Sequence, residues 1–396
     1  MTNSNKYGNS TVQGKENMLV KDERKSLMRR EFAARFGGEP ANWALAPGRV
    51  DLMGSHTDYN QGYVLTLALD RDTCIAARPR GDRQVAIQSL NMQGTAVFDL
   101  DRISHDRQAP WTNYVRGVAA VLQAEGYSLG GFDGLVHSTV PLSSGLSSSA
   151  ALEVATALLF NQTGSLGIDP VRLALLCQRA ENQFVGMSCG ILDQYTSAVC
   201  PRGSALLLDC RHLTSDPVAV HSSVRVVLCD THARRELTGS EYPERRAQCE
   251  QGVALLAEND GGLIALRDVS QELFALHAAD LPALVAKRCR FILEENQRVL
   301  DLALALPAGD GDAISQLTAA SFAGARDLYE IVTPEMEKMM QAIPGAPGAI
   351  GARQAGAGFG GCMLAFVQDG LVGQFAEQVC QAYAASTGIQ ADIFPA

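Results

Sequence analysis

A run of small residues between a predicted strand and a predicted helix restricts the fold of this chain more than any other feature. Residues 134–140, which include Leu135, Val136 and Val140, predict a strand, and residues 150–160 predict a helix. Between them, Pro141 to Ala151 reads Pro-Leu-Ser-Ser-Gly-Leu-Ser-Ser-Ser-Ala-Ala. Small side chains let backbone N–H groups approach an anion, and the start of a helix adds partial positive charge. The segment therefore predicts a phosphate-binding loop, although a serine-rich helix cap without a ligand has the same local pattern.

The predicted nucleotide contacts are the loop itself and the first turn of the helix. They are Ser143, Ser144, Gly145, Leu146, Ser147, Ser148, Ser149 and Ala150. The loop is not a Walker A motif, because no Gly-Lys-Ser/Thr follows it. Its hydroxyl groups can contact either phosphate or Mg²⁺.

The composition is that of a globular protein with a large core, since 46% of the 396 residues are hydrophobic and 19% are charged. A formal net charge of -10 gives no counterion-release attraction to nucleic acid. No apolar run reaches the length that spans a bilayer. The ten cysteines are scattered without a Cys-x-x-Cys pair, which indicates small core residues in a reducing compartment. We therefore expect a cytoplasmic protein without nucleic-acid or membrane partners, and the composition leaves its oligomeric state open.

The order of predicted elements indicates an α+β protein with two lobes. Strands with interspersed helices fill the first half, and helical patterns dominate from about residue 243 to 341. We expect a flexible N-terminal tail over residues 1–20, an N-terminal α+β domain over 21–210 and a C-terminal α+β domain over 211–396.

Several segments of the chain resemble motifs of one enzyme superfamily. The serine-rich loop resembles the second motif of the GHMP kinases, the superfamily of galacto-, homoserine, mevalonate and phosphomevalonate kinases. Four further segments resemble galactokinases in particular, and these are Gly48 to Asn60, Cys189 to Tyr195, Ser240 to Arg246 and Gly356 to Cys362. The matches follow the order of the family and span about residues 40 to 370.

The resemblance implies a two-lobed GHMP kinase-like fold with the active site between the lobes. It also implies ATP-dependent phosphorylation of the C1 hydroxyl of galactose or a galactose-like sugar. ATP and Mg²⁺ are then the expected cofactors, and the partners are a small sugar and ATP.

Asp193 and Arg49 are the predicted catalytic residues. Phosphoryl transfer needs an oriented hydroxyl that loses its proton as it attacks, and Asp193 lies in a Gly-flanked polar segment that resembles the catalytic-aspartate motif. Arg49 is suited to stabilise developing phosphoryl charge and to pair with Asp193. The resemblance also implies a magnesium role for Glu181 together with Ser147 or Ser148. Taken alone, Asp193 is also typical of an ordinary turn, and Glu181 is also typical of an exposed helix surface.

The resemblance places sugar contacts at five positions. These are Ser55, His56, Asp58, Gly190 and Tyr242. Asp58 matches a family aspartate that holds ring hydroxyls. A sugar site needs such a residue, because each buried hydroxyl must be paired. An isolated His or Tyr is more often part of the packing. The turn from Gly356 to Gly361 permits a close backbone approach near the site, although a tight hairpin would also require it.

Two positions of the sugar signature depart from the family. Ser55 stands where Glu is usual, and that glutamate contacts the C6 hydroxyl of galactose; Asp51 stands where Asn is usual. Serine is shorter and uncharged, so it leaves space near C6. A preference for L-arabinose or a C6-modified galactose such as galacturonate is therefore an alternative. Phe291 and Phe322 also stand where many members have His, and the sequence offers no physical account of this.

Two further alternatives belong to other classes of protein. A non-catalytic sugar sensor would lack part of the serine-rich loop, whereas this loop is complete and both Arg49 and Asp193 are present. A GHMP kinase acting on a non-sugar alcohol is disfavoured by the matches at His56 and Tyr242.

Overall fold

The computed structural model describes residues 22–142, 144–233, 241–258 and 260–396. The predicted tail over residues 1–20, Ser143 and Ser240 lie outside the described residues. The described ranges contain runs of strands and runs of helices, so the α+β prediction is confirmed. The chain divides into two compact units, each assembled from several segments.

The helices are listed here with the labels used below. They are α1 (Asp22–Phe36), α2 (Thr112–Ala124), α3 (Ser148–Gly164), α4 (Pro170–Ala180), α5 (Leu192–Val199), α6 (Glu241–Ala257), α7 (Gln271–His277), α8 (Ala283–Ala308), α9 (Gly311–Gly324), α10 (Pro334–Ala342) and α11 (Val372–Thr387).

The strands are labelled in the same way. They are β1 (Asn42–Met53), β2 (Tyr63–Pro79), β3 (Gln84–Ser89), β4 (Thr95–Asp99), β5 (Phe132–Ser138), β6 (Ala205–Asp209), β7 (Thr214–Val218), β8 (Val224–Asp230), β9 (Ala349–Gln354), β10 (Cys362–Gln368) and β11 (Asp392–Pro395).

The first unit contains the described residues up to Gly48, residues 69–141 and residues 147–199. Its sheet joins β4 antiparallel to β3, β3 parallel to β5, and β5 antiparallel to the second half of β2. Helix α1 buries Met28 and Phe32 against apolar residues of this sheet. Burying a large apolar side chain stabilises a fold by about 1.5–3 kcal/mol, so these contacts fix α1 on the sheet.

The helices of the first unit carry clear start and stop signals. Helix α4 begins with Pro170 at its first position, and the Asp169 carboxylate caps it by accepting a bond from the Arg172 N–H at 3.0 Å. The sequence predicts one helix over residues 170–185. The α-helix instead ends at Ala180, and a single π-helical turn, Glu181–Val185, follows it. Such turns frequently occur at functional sites.

The second unit contains residues 49–68, 142–146 and 200–396 within the described ranges. The first half of β2 pairs antiparallel with β6, which pairs with β7. A separate antiparallel sheet has the order β11-β8-β10-β9. Helices α10 and α11 cover it through a core that includes Met336, Met339, Phe375 and Tyr383.

The compact units are divided differently from the predicted domains. The prediction has one boundary, between residues 210 and 211, whereas the second unit also contains residues 49–68 from the first half of the chain. The domain ranges 21–210 and 211–396 therefore stay a prediction. Residues 63–69 and 73–77, which the sequence predicts as two strands, form the single long strand β2.

Candidate active site

The serine-rich loop enters α3 through two residues in the left-handed backbone region. Gly145 has φ of 83°, and Ser147, immediately before the helix, has φ of 56°. A non-glycine residue rarely adopts this conformation, and its cost is tolerated where the surrounding structure requires it. Ser147 is the N-cap of α3, yet its side chain does not cap the helix. Its hydroxyl donates instead to Oδ2 of Asp193.

Arg49 is attached to the same loop. Its backbone N–H donates to the carbonyl of Leu146 at 3.2 Å, and its Nη1 donates to the carbonyl of Gly145 at 2.8 Å. The side chain is buried. The predicted catalytic arginine is thereby fixed against the predicted phosphate-binding loop.

The glycine-rich turn packs directly on the loop. A Cβ atom at Gly361 would lie 2.7 Å from the carbonyl oxygen of Ser144, and one at Gly356 would lie 3.2 Å from that of Gly145. Both glycines also have positive φ. Larger residues are therefore excluded at Gly361 by the approach of two backbones.

Three carboxylates form what we call the acidic cluster, namely Glu153, Glu181 and Asp193. The amide Nε2 of Gln194 donates to Glu153 Oε2 at 3.0 Å and to Glu181 Oε2 at 2.5 Å. Glu153 is fully buried on α3. Within the described part of the chain, its Oε1 and the Oε1 of Gln194 have no hydrogen-bond partner. Buried oxygens without a partner are costly and usually have a functional reason.

The electrostatics of the acidic cluster follow from burial of like charges. Burial raises the pKa of Glu181 to about 7, and the charge of Asp193 adds to this rise. Burial also raises the pKa of Glu153 well above its usual value, with the charge of Glu181 as the next cause. Like charges in a low-dielectric setting disfavour ionisation, so the cluster favours a proton or a cation.

The acidic cluster offers oxygen donors to a magnesium ion. Glu181 supplies a carboxylate, and the Ser149 hydroxyl forms a side-chain hydrogen bond with it. Such hard oxygen donors suit Mg²⁺, which commonly takes only one or two protein ligands. Within the described ranges, no group of three or more His, Cys, Asp or Glu residues is arranged to hold a metal by itself. The oxygen donors of Glu181 and Ser149 fit a magnesium ion, which would also need ligands from outside the protein.

The sugar signature forms a tightly bonded turn after β1. The Thr57 hydroxyl donates to the carbonyls of Gly54 at 2.7 Å and Tyr63 at 2.6 Å, and the Asn60 amide donates to the His56 carbonyl at 2.8 Å. His56 has φ of 67°. The turn leaves Asp58 partly exposed, while Ser55 and His56 are buried.

An aromatic cluster surrounds His56. Its ring lies 5.2 Å from the Tyr242 ring and 4.9 Å from the Tyr329 ring, measured between centroids. Its Nδ1 lies 2.9 Å from the Tyr59 hydroxyl, and its Nε2 lies 2.9 Å from the Ala357 carbonyl oxygen. Both ring nitrogens are thus engaged by protein groups.

Ser55 is bonded to a second set of buried charges, which we call the charge network. The charge network consists of Asp51, Glu295, Arg298 and Arg353. The Ser55 hydroxyl donates to Asp51 Oδ2 at 2.6 Å and accepts from Arg353 Nη2 at 2.8 Å. The sequence predicts open space at Ser55, whereas its hydroxyl is held by these two partners.

The charge network also joins distant parts of the second unit. Arg353 Nη2 donates to Glu295 Oε1 at 3.0 Å, and Arg298 Nε donates to Glu295 Oε2 at 2.8 Å. The backbone N–H of Gly356 donates to Asp51 Oδ1 at 2.5 Å. The network therefore connects β1 to the glycine-rich turn.

Several of the predicted site residues contact one another or the loop. Asp193 is brought to Ser147, Glu181 to Asp193, and Arg49 to Gly145 and Leu146. Gly190 lies just before α5, and Tyr242 lies in the first turn of α6 beside His56. The loop hydroxyl that reaches Glu181 is that of Ser149, while the assignment of Ser148 to the metal stays a prediction.

Sequence reasoning missed other residues of the site, which are Glu153, Gln194, Glu295, Tyr329 and Arg353. Only Glu153 carries a recognisable signal. It is a charged residue within the apolar helical run Ala-Ala-Leu-Glu-Val-Ala, and such residues are rarely buried unless they have a partner.

Comparisons with known proteins place this arrangement in a superfamily. The model of the GHMP kinases N terminal domain matches residues 113–200, and that of the GHMP kinases C terminal matches residues 302–385. The solved mevalonate kinase of Methanococcus jannaschii superposes with a TM-score of 0.64 over 90% of this chain and 98% of its own, and at 15% identity this likeness concerns the fold. The chain has the two-lobed α+β fold of the GHMP kinases.

Closer relatives identify the branch of the superfamily. The model of the galactokinase galactose-binding signature matches residues 30–79. The chain is 42% identical over 367 residues to the galactokinase of Roseiflexus sp., covering 93% of this chain and 94% of the relative. It is 44% identical over 357 residues to that of Chloroflexus aggregans, covering 90% and 92%. The chain belongs to the galactokinase family and is a sugar kinase.

A solved structure agrees with this assignment. Lactococcus lactis galactokinase complexed with galactose superposes with a TM-score of 0.88 at 32% identity, over 93% of this chain and 97% of its own. The family predicted from the motifs is thereby confirmed. Separately, among the described residues, every helix is too short or too polar to cross a bilayer.

Proposed function

We propose that the protein transfers the γ-phosphoryl group of ATP to the C1 hydroxyl of galactose, giving α-galactose 1-phosphate and ADP. The observation that carries the proposal is the relation to galactokinases at 42% and 44% identity over nine-tenths or more of the chain. The chemistry of the acidic cluster and the serine-rich loop supports it.

Asp193 is proposed to accept the proton of the C1 hydroxyl as that hydroxyl attacks. A general base must lie within hydrogen-bond reach of its proton and be held in place. The hydrogen bond from Ser147 restrains Oδ2 of Asp193. We assign the Asp193 carboxylate to the sugar hydroxyl.

Arg49 is proposed to stabilise the negative charge that develops on the transferred phosphoryl group. Preorganised donors contribute most when they need no rearrangement during the reaction. The two hydrogen bonds from Arg49 to Gly145 and Leu146 provide that fixation. We assign residues 143–150 to the phosphates of ATP.

Glu181 and a serine hydroxyl of the first turn of α3 are proposed to hold Mg²⁺. A magnesium ion held there would supply positive charge to the phosphate groups of ATP. Isothermal titration of ADP with and without Mg²⁺ tests this assignment. Glu181→Gln should weaken only the Mg²⁺-dependent binding, and Ser148→Ala against Ser149→Ala identifies the hydroxyl that contributes.

The sugar is assigned to the signature turn and its neighbours. We propose that Asp58 binds ring hydroxyls and that Gly190 and Tyr242 line the site. Ser55 is buried, and its hydroxyl is bonded to Asp51 and Arg353.

A coupled ADP-release assay tests the proposed function. Galactose, L-arabinose, galacturonate, galactosamine and mevalonate are compared at equal concentration with Mg-ATP, and ³¹P NMR locates the phosphate. Galactose should give the highest kcat/KM, with the phosphate on C1. Turnover of mevalonate alone, or phosphate on another hydroxyl, would refute the proposal.

A further inference from the structure

The side chains around His56 form a chain of hydrogen bonds within the second unit. The Tyr59 hydroxyl lies 2.9 Å from His56 Nδ1 and 2.7 Å from the Tyr329 hydroxyl. The Cys249 sulfur lies 3.3 Å from the Tyr329 hydroxyl. At the other end, His56 Nε2 lies 2.9 Å from the Ala357 carbonyl oxygen.

The Ala357 carbonyl and a neutral His56 ring together determine the direction of the bonds in this chain. A carbonyl oxygen only accepts, so His56 Nε2 carries the proton, and in the neutral ring Nδ1 then accepts. Tyr59 therefore donates to His56. Its oxygen must then accept from Tyr329, and the oxygen of Tyr329 accepts from the Cys249 thiol.

Each donor in the chain keeps its proton at neutral pH. Burial raises the pKa of Cys249 to about 11. It also raises the pKa of Tyr59 and of Tyr329 well above their usual value. Hydrogen bonds in such a buried series polarise one another, which favours a single arrangement.

We propose that His56 is a positioning residue, whose Nε2–H tautomer is fixed by the chain Cys249–Tyr329–Tyr59 and which thereby anchors the Ala357 carbonyl of the glycine-rich turn. The structure assigns both ring nitrogens to protein partners. The ring therefore acts through Ala357.

Anchoring Ala357 has a consequence for the nucleotide loop. Ala357 lies next to Gly356, whose Cα is close enough to Gly145 that an added Cβ would lie 3.2 Å from the Gly145 carbonyl oxygen. A displaced Ala357 would disturb this contact. We therefore expect loss of the hydrogen-bond chain to lower kcat/KM for ATP more than kcat/KM for the sugar. This expectation rests on the proposed function of the loop.

The first test reads the tautomer directly and needs no catalysis. The histidine side chains are labelled with ¹⁵N, and His56 is assigned by comparison with His56→Gln. The expected spectrum shows Nε2 protonated and Nδ1 unprotonated in the wild-type protein. A proton on Nδ1 would overturn the proposal even if the protein proves to be an active galactokinase.

The second test removes one hydroxyl or thiol at a time. Tyr59→Phe leaves a buried acceptor at Nδ1 without its donor and should lower kcat/KM for ATP on the order of tenfold. Tyr329→Phe should have a smaller effect, and Cys249→Ala the smallest, with Cys249→Ser restoring the donor. If Tyr59→Phe instead raises only KM for the sugar, or changes nothing, the proposed chain is wrong.

A pair of substitutions at His56 separates the ring from the backbone. Gln places a donor near the position of Nε2, whereas Asn suits the left-handed backbone but is too short to reach Ala357. If the donor to Ala357 matters, His56→Gln keeps more activity with ATP than His56→Asn. The reverse order would assign the role of His56 to its backbone conformation and overturn the proposal.

Discussion

The acidic cluster and the charge network both bury carboxylates, but they satisfy them in different ways. In the charge network, Glu295 has no exposed surface and accepts from Arg353 and Arg298. In the acidic cluster, Glu153 is equally buried, and it shares with Glu181 a neutral amide donor from Gln194.

The difference indicates two uses of buried charge. A buried ion pair offsets part of its desolvation cost by mutual attraction and hydrogen bonds, so the charge network balances its carboxylates with guanidinium groups, and Arg298 Nη2 is the atom left without a partner among the described residues. In the acidic cluster, burial raises the pKa of Glu153 and of Glu181, and neighbouring carboxylate charges add to the rise. One oxygen of Glu153 also has no partner among the described residues. The acidic cluster is therefore suited to receive a proton or cation, while the charge network holds the fold.

Removing the charge of Asp193 should have the largest effect of the changes that test this contrast. Asp193→Asn keeps the size of the side chain but cannot accept a proton, so kcat should fall by roughly 10²- to 10⁴-fold. Nucleotide affinity should remain near that of the wild type. The measurements are steady-state ADP release and an ADP titration.

Asp169→Asn is the matched control. Asp169 is exposed and caps α4, and Asn is an equally good cap. Its kcat should be unchanged. If Asp193→Asn turns over at the wild-type rate while folded, Asp193 is not the base.

Glu295→Gln should be strongly destabilising. Loss of its charge leaves the buried Arg353 and Arg298 without their shared partner, and breaking a buried pair costs about 3–5 kcal/mol. The same substitution at Glu153 should cost less of the free energy of unfolding, because burial raises the pKa of Glu153 well above its usual value and so favours its neutral form. Denaturant unfolding of both variants measures the difference.

Equal destabilisation by the two substitutions would break the contrast between the regions. It would mean that Glu153 is charged in the folded protein and held by a partner of its own. A stabilised Glu295→Gln variant would show instead that the charge network does not support the fold.

Ser55→Glu should shift the sugar preference and strain the charge network. A carboxylate at residue 55 can accept from the C6 hydroxyl of galactose, and such a charge-assisted bond is worth about 1.5–3 kcal/mol. The preference for galactose over L-arabinose should rise roughly ten- to more than a hundredfold in relative kcat/KM, and galacturonate should be disfavoured.

The structure adds a condition to this prediction. The Ser55 hydroxyl lies 2.6 Å from Asp51 Oδ2, so glutamate at residue 55 places a second carboxylate against the first. The single variant should lose stability, and adding Asp51→Asn should restore it. Unchanged sugar ratios in the double variant would show that residue 55 does not determine recognition of C6.

The pH dependence of stability should show the smallest effect. The folded-state pKa of Glu181, about 7, lies above its ordinary value of 4.5, so the folded protein holds a proton that the unfolded chain releases. The stabilisation is present below about pH 4.5 and is lost as the pH rises through about 7. Glu181→Gln should flatten this part of the stability curve, measured by denaturant unfolding with EDTA. An identical slope in the variant would contradict the raised pKa.

The sequence predicted those parts of the site that lie in short local motifs. The serine-rich loop, Asp193 and Glu181 each belong to a segment whose residue types carry their own chemistry. The strand before the loop and the helix after it were also predicted correctly, because each depends on residue types within one short segment.

The remainder of the site depends on pairing between distant segments. Arg353 and Asp51 are 302 positions apart, and Glu295 reaches both Gly54 and Arg353. Local patterns carry no information about such partners. Ser147 illustrates a different limit, since a serine before a helix predicts an ordinary cap, whereas its left-handed backbone accompanies a hydroxyl that bonds Asp193 instead.

The way the chain returns repeatedly to each unit limits how the protein can be divided or recombined. It changes unit after Gly48, Ala68, Pro141, Leu146 and Val199. No continuous gene fragment encodes either unit, so exchange of halves between homologues would divide both units. A fragment ending at residue 210 would keep Asp51 and lose Arg353, leaving an uncompensated buried carboxylate. Recombination or truncation of this protein must therefore keep the segments of both units together.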